Sequence, residues 1–292
     1  MRPMKRLLVV LHVYYPDQIG YFVRKLRNIN GCDWDLVVTY VAESAPLRRL
    51  RHLKPDARFV KVGNIGYDVW PFIKVIKDTD LSAYDYVLKL HTKGSGDRER
   101  INGLNMRNYR WRDLLVNALL KNPGRFRKCL DYFDEFPDVG MICCYELRKD
   151  LHGGLLENTA MLEEEAKRIG ILRNFSDDRF CAGTMFMVRA DALGRIQRLQ
   201  LDDSMWGQHF ASHSCSSLAH VYERLMGIMV KDAGYEVHGF VSGRFSAFCV
   251  FVHNTLGMAL RSLFCIERDE YHRKFVMICG KKFYMGDDKG KV

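Results

Sequence analysis

Residues 84–97 read Tyr84-Asp85-Tyr86-Val87-Leu88-Lys89-Leu90-His91-Thr92-Lys93-Gly94-Ser95-Gly96-Asp97, an apolar run of strand length followed at once by a polar, glycine-rich exit that carries a cation. Runs of the same kind occupy 6–13, 35–41, 57–62, 139–145 and 184–189. Between several of them, apolar residues recur at helical spacing over 20–27, 71–77, 111–120, 125–133 and 163–171. Strands alternating with helices predict an α/β fold, a mostly parallel sheet covered on both faces. In such folds a ligand sits beyond the carboxyl ends of the strands. The residues just after each apolar run are therefore the ones to read for chemistry.

Composition narrows the function classes. The chain has 292 residues, 48% hydrophobic and 27% charged, with 45 Lys+Arg against 35 Asp+Glu for a formal net charge of +10. This excludes disordered, collagen-like and coiled-coil chains, and the length suffices to bury a sizeable core without a disulfide or metal. None of the nine cysteines forms a C-x-x-C pair, and most lie in apolar runs, as Cys143, Cys144 and Cys249 do. That is the usage of a reducing cytosol. The N-terminus is basic and apolar but meets His12, Pro16 and Asp17, so it reads as a first strand and not a signal peptide. The stretch 245–266 is broken by His253, Asn254 and Arg261, too polar for a spanning helix. Leu256, Leu260, Leu263 and Phe264 would share one helical face, which suits either core packing or a membrane surface. With no repeat or linker to mark a boundary, the sequence predicts one domain over 1–240 and a C-terminal helical extension over 241–292.

Three strand exits carry polar groups. Asn64-Ile65-Gly66-Tyr67-Asp68-Val69-Trp70-Pro71 combines a glycine for a tight turn, a proline suited to a first helical turn and two polar side chains. Such a turn can hold a phosphate or a ribose hydroxyl, or simply cap its own helix through Asp68. His91-Thr92-Lys93-Gly94-Ser95-Gly96 offers backbone amides and a cation to an anion, although it lacks the Walker order. Residues 88–128 hold eleven Lys+Arg against three Asp+Glu. This suits a polyanion, a diphosphate, or a solvated helix face that includes Arg107, Arg110 and Arg112. The third exit is Phe180-Cys181-Ala182-Gly183-Thr184-Met185-Phe186, with His220-Val221-Tyr222-Glu223 further along the chain. His220 and Glu223 share a helical face; they suit a general base and its neighbour, or an ordinary surface pair. His220 with His209 or His213 could bind a metal, though no H-E-x-x-H spacing supports it.

Five blocks in order, HVYYPD, NIGYDVWPF, YDYVLKLHTK, FCAGTMFMVR and HVYERLMG, resemble the rhamnan synthesis protein F family over about residues 6–230. The resemblance implies a glycosyltransferase with a single GT-A-like, Rossmann-type nucleotide-binding domain. It would use a nucleotide-sugar donor such as dTDP-rhamnose or a UDP-sugar, and a glycan or lipid-linked glycan acceptor in cell-wall or lipopolysaccharide synthesis. GT-A enzymes end a strand in an Asp-x-Asp motif that holds a divalent metal. Here His91-Thr92-Lys93 stands at that place, so Mg²⁺ or Mn²⁺ is possible but not favoured, and Lys93 would stabilise the leaving diphosphate. By the same resemblance Glu223 is the first candidate for the base of an inverting transfer and His220 the second. Asn64, Gly66, Asp68, His91, Thr92 and Lys93 would bind the donor. Gly183, Thr184 and Met185, with Asp202 and Asp203, would line the sugar and acceptor pocket. Met187 departs from the aromatic common after the GTMF block. The alternatives are a nucleotide-sugar-binding subunit without catalysis and a basic nucleic-acid-binding protein, the latter without any helix-turn-helix, zinc-finger or RNP signature. A lipid-borne acceptor would place the protein in the cytoplasm, peripheral on the inner face of the membrane.

Overall fold

In β1 (Arg6–Val13) every side chain after Arg6 is buried, the pattern of a strand in the middle of a sheet covered on both faces. Each such aliphatic side chain contributes roughly 1.5–3 kcal/mol through burial. The computed structural model describes residues 4–95, 100–151, 159–206, 217–268, 274–279 and 281–284. β2 (Asp33–Tyr40), β3 (Arg58–Lys61) and β4 (Tyr86–His91) come next, then a small hairpin of β5 (Arg100–Ile101) and β6 (Leu104–Asn105). β7 (Val139–Cys144) precedes a second small pair, β8 (Arg148–Asp150) and β9 (Arg179–Cys181). β10 (Phe186–Arg189) and β11 (Glu236–Phe240) complete the main sheet.

That sheet has seven strands in the order β11-β7-β10-β4-β1-β2-β3. It is mostly parallel, as the sequence predicts; only β10 runs antiparallel, between β4 and β7. The helices α1 (Ile19–Leu26), α2 (Leu47–Leu53), α3 (Val69–Lys77), α4 (Arg110–Leu120), α5 (Pro123–Glu135), α6 (Thr159–Arg168), α7 (Gly194–Gln197) and α8 (Leu218–Asp232) flank it. They pack in two groups, α1 with α2 and α4 with α5, and α3 with α7 and α8 with α6. Local chemistry sets their ends. α5 starts at Pro123, and the Asn122 side chain accepts from the Arg125 amide at 2.8 Å, a capped start with proline in the first turn.

Beyond β11 the chain continues as α9 (Arg244–Leu263), then β12 (Phe264–Arg268), β13 (Lys274–Ile278) and β14 (Lys281–Tyr284), an antiparallel sheet that the apolar pattern of the sequence does not predict. Phe264 opens β12 and so does not continue the helical face with Leu256; the two are 57% and 55% exposed. Glu146, fully buried, holds the entry to α9. Its carboxylate accepts from the Ser242 amide at 3.1 Å, the Ser242 hydroxyl at 2.6 Å and the Gly243 amide at 3.3 Å. Among the described residues no helix is long and apolar enough to cross a membrane.

The polar exceptions in the core locate the site. His12, Gln18, Lys89, His91, Thr92 and Thr184 are each at most 5% exposed. They gather where β1 and β4 end side by side, His12 opposite His91.

Candidate functional site

The chain leaves β3 at one edge and returns as β4 on the other side of β1, a switch point beyond whose strand ends such sheets bind their ligands. Thr92 ties the two exits together. Its amide donates to the His12 carbonyl at 3.0 Å, and its hydroxyl accepts from the Tyr14 and Tyr15 amides, both at 2.9 Å. Gln18 clasps the next residue, donating to the Lys93 carbonyl at 2.7 Å. Thr92, expected to bind donor, is buried in this lacing and shapes the loop instead. Burial pushes His12 down to about 4, and its Nδ1 lies 2.9 Å from Thr39 Oγ1.

Asp68 occupies the N-cap position of α3 but makes no side-chain cap, so the capping alternative is corrected. Its Oδ2 instead accepts from the Lys89 ammonium and the Thr184 hydroxyl, and its Oδ1 is 3.8 Å from His91 Nε2. Burial alone would raise this carboxyl; His91, Lys89 and the Thr184 hydroxyl outweigh it and hold the group well below the ordinary carboxylate range. Lys89 also donates to the Thr184 carbonyl at 2.9 Å and hydroxyl at 2.8 Å. Every donor of this buried ammonium thus meets an oxygen, the condition under which a buried ion pair is tolerated.

The same turn is held from the other side. Gly183 (φ +92°) and Thr184 (φ +48°) are both left-handed, and a Cβ on Gly183 would stand 2.7 Å from Trp111 Nε1. The Gly183 carbonyl lies 2.9 Å from His91 Nε2, while the Thr92 carbonyl lies 3.0 Å from His91 Nδ1. A neutral imidazole carries one N–H and can satisfy only one of these. Burial lowers the His91 pKa, with Asp68 acting in the opposite sense. The Gly183 amide donates to Glu223 Oε1 at 2.6 Å. Thr184 and Met185 were expected to face a sugar. Thr184 is 3% exposed, its side chain engaged by Asp68 and Lys89, and Met185 is 0% exposed. Both are corrected to supports of the turn, because the reversal into antiparallel β10 carries them into the core.

Glu223 and His220 lie on the first turns of α8, on one face. His220 Nδ1 is 2.6 Å from the Ser217 hydroxyl, and its ring meets Tyr67 edge-on at 5.7 Å. Burial lowers the His220 pKa and the Glu223 carboxylate opposes that shift. Lys93 places its ammonium 3.7 Å from the centre of the Trp111 ring, and Trp111 in turn packs against Gly183. The 64–68 loop, the 91–93 exit, the 183–184 turn and the start of α8 are thereby brought together.

The remaining candidates divide. Asn64 is exposed in the loop before Gly66. Gly66 (φ +66°) is buried, and a Cβ there would fall 2.3 Å from the Trp70 Cβ and 2.9 Å from Trp206 Cε3. Its role is close packing of that tryptophan pair, which stacks at 4.9 Å. Asp202 accepts from the Ser204 amide and hydroxyl, at 2.8 and 2.5 Å. Asp203 accepts from Trp70 Nε1 at 2.6 Å and Lys74 at 3.0 Å. Of the two carboxylates expected in the pocket, Asp202 caps its own turn through Ser204 and Asp203 ties that turn to α3. Gly96, Asp97, His209 and His213 lie outside the described residues. Lys89 and Trp111 were missed. The available signal was a lysine between Leu88 and Leu90 in a run buried on both faces, where a charge requires a partner.

Three comparisons bear on this chain. The profile of the family described as rhamnan synthesis protein F matches residues 1–235. Two proteins called uncharacterized protein WxcX, from two strains of Xanthomonas campestris pv. campestris, are 28% and 27% identical over 238 residues, 78% of this chain and 32% of theirs. The chain therefore spans about a third of the length of these curated relatives. Among solved structures, 4-diphosphocytidyl-2C-methyl-D-erythritol synthase aligns at TM-score 0.37 and 12% identity, over 88% of this chain and 100% of that one. Glucosyl-3-phosphoglycerate synthase from Mycobacterium tuberculosis aligns at TM-score 0.36 and 10% identity, over 91% and 84%.

Proposed function

Because the chain belongs to the rhamnan synthesis protein F family, we propose that it is a glycosyltransferase acting in polysaccharide synthesis, with the carboxyl ends of β1 and β4 as its donor site. The observation that carries this is the Gly183 turn, which joins one carboxylate, Glu223, to the cluster of Asp68, Lys89 and His91. A transfer needs a base for the acceptor beside a polar seat for the donor, and the cation for the leaving diphosphate is Lys93 at the same exit. The donor is a nucleotide-activated sugar, with dTDP-rhamnose first choice. The acceptor is a glycan, lipid-linked in a protein peripheral to the inner membrane face.

In the proposed step the acceptor O–H gives its proton to Glu223 as its oxygen bonds to the anomeric carbon. The bond from that carbon to the diphosphate oxygen breaks, and the electron pair leaves on the nucleoside diphosphate. One displacement inverts the anomeric centre. Lys93 carries the charge that balances the leaving diphosphate, and Asp68 Oδ1 is the acceptor for a donor hydroxyl. A divalent metal does not fit this donor set: the Asp68 carboxylate is already paired with the Lys89 ammonium, and a dication there would meet that charge directly.

The test is a thermal-shift panel of dTDP-rhamnose, UDP-sugars, GDP-mannose and random DNA. Stabilisation by one nucleotide-sugar supports the proposal. A salt-sensitive shift with DNA alone, the behaviour of phosphate-driven binding, would favour the nucleic-acid alternative.

A further inference from the structure

Trp111 and Leu115 lie against Gly183, on the side of α4 toward the proposed donor site. A second face of the same helix, carrying Arg110, Asp113, Leu114 and Asn117 at three- and four-residue spacing, lines a separate cleft of about 490 Å³ together with Arg107, Arg112 and Ser246. Asp113 is the one carboxylate among its described lining residues, and it pairs with Arg112 at 2.8 Å. Arg112 itself is 8% exposed, stacked between Tyr21 and Tyr109 at 3.8 and 4.3 Å. Lys25 donates to Asn117 Oδ1 at 2.5 Å. Its ammonium is held below the ordinary lysine value by burial, with Arg24, Lys121 and Arg112 adding to the effect. Among the described lining residues three arginines, Arg107, Arg110 and Arg112, stand against the single carboxylate of Asp113, so the cleft carries an excess of positive charge. The amides of Ser242 and Gly243 are already taken by Glu146, so the arginines and not the start of α9 carry the attraction.

We propose that this cleft is a second anion site, distinct from the donor site, that takes a phosphate or diphosphate group. Arg107, exposed, and Arg110, half-buried with one 3.3 Å contact to the Asn105 carbonyl, supply planar forks that match phosphate oxygens in pairs. The volume is that of an ordinary small-ligand site. Arg112 links the two sites: it donates to Gln18 Oε1 at 3.3 Å, and Gln18 holds the Lys93 carbonyl. The inference needs no sugar transfer and stands apart from that reading.

Calorimetric titration with inorganic pyrophosphate at low salt tests it, in the full chain carrying Lys93→Gln so that the donor site is silenced. Saturable binding is expected, weakened by about tenfold or more when Arg107→Gln and Arg110→Gln are added, as loss of charge-assisted contacts demands. Ser246→Asp, which sets a carboxylate in the cleft, is expected to do the same and guards against misfolding of the triple variant. A parallel arm uses vesicles of phosphatidylcholine with and without phosphatidic acid. Binding there that the arginine substitutions abolish identifies a lipid headgroup as the source; binding of pyrophosphate alone identifies a free phosphate compound. No binding in either arm, or binding that both sets of substitutions leave unchanged, would overturn the proposal.

Discussion

The Gly183 amide donates to Glu223 Oε1 at 2.6 Å, so the carboxylate proposed as base is fixed by a backbone group. Glu223→Gln keeps an oxygen for that bond and removes the proton acceptor. Turnover is expected to fall by about 10²–10⁴, the usual size of a general-base contribution, with donor affinity kept. Single-turnover transfer alongside a donor titration measures both, and normal turnover would remove Glu223 from the mechanism.

The Asp68–Lys89 pair sets the stability of the same region. Asp68→Ala leaves a buried ammonium without its counter-charge and is expected to cost about 3–5 kcal/mol in urea unfolding. Asp68→Ala with Lys89→Met should recover most of that loss, since an apolar side chain needs no partner. A single substitution as mild as a surface change would contradict the buried pair.

Acid should weaken the fold through His12. Its folded pKa is depressed from 6.5 to about 4, so the unfolded chain takes the proton first. Stability present above pH 6.5 is therefore lost as pH falls toward 4, by on the order of 3 kcal/mol. His91 and His220 are depressed too and act in the same direction. The depressed Asp68 carboxyl adds its loss only below the ordinary carboxylate range. Urea midpoints from pH 7 to 4.5 should fall steeply in the parent and less steeply in His12→Gln; equal slopes would show that His12 is not the group.

Transfer is expected to persist in EDTA, with Lys93→Gln lowering turnover by roughly 10²-fold or more through lost charge stabilisation. Strict dependence on Mn²⁺ would put a metal where Lys93 is proposed to act.

The alternation of apolar runs makes the sheet and most of its helices legible in the sequence. Periodicity is a property of each segment and survives without tertiary information. The antiparallel sense of β10 was not legible, since direction depends on which neighbour a strand finds. β11 is five residues with a glycine inside, too short to carry a pattern. The candidate site divided the same way. Asp68, His91, Lys93, Gly183, Glu223 and His220 were found from polar groups at strand exits and helix starts, and the fold brings them together. Thr92, Thr184 and Met185, expected to face a ligand, are buried in the fold, because a sequence does not say which way a turned backbone points its side chains. Lys89 was passed over as one residue in an apolar run, although its partner Asp68 was in view 21 residues earlier.

Glu146 reaches 96 positions along the chain to Ser242, across the point where the family match ends at residue 235. This chain is consequently not free to exchange its carboxyl-terminal segment. A chimera joined at 240 inherits a sealed-in carboxylate that expects a hydroxyl and two amides from the incoming segment. Grafts that begin otherwise should express poorly even when both halves are sound.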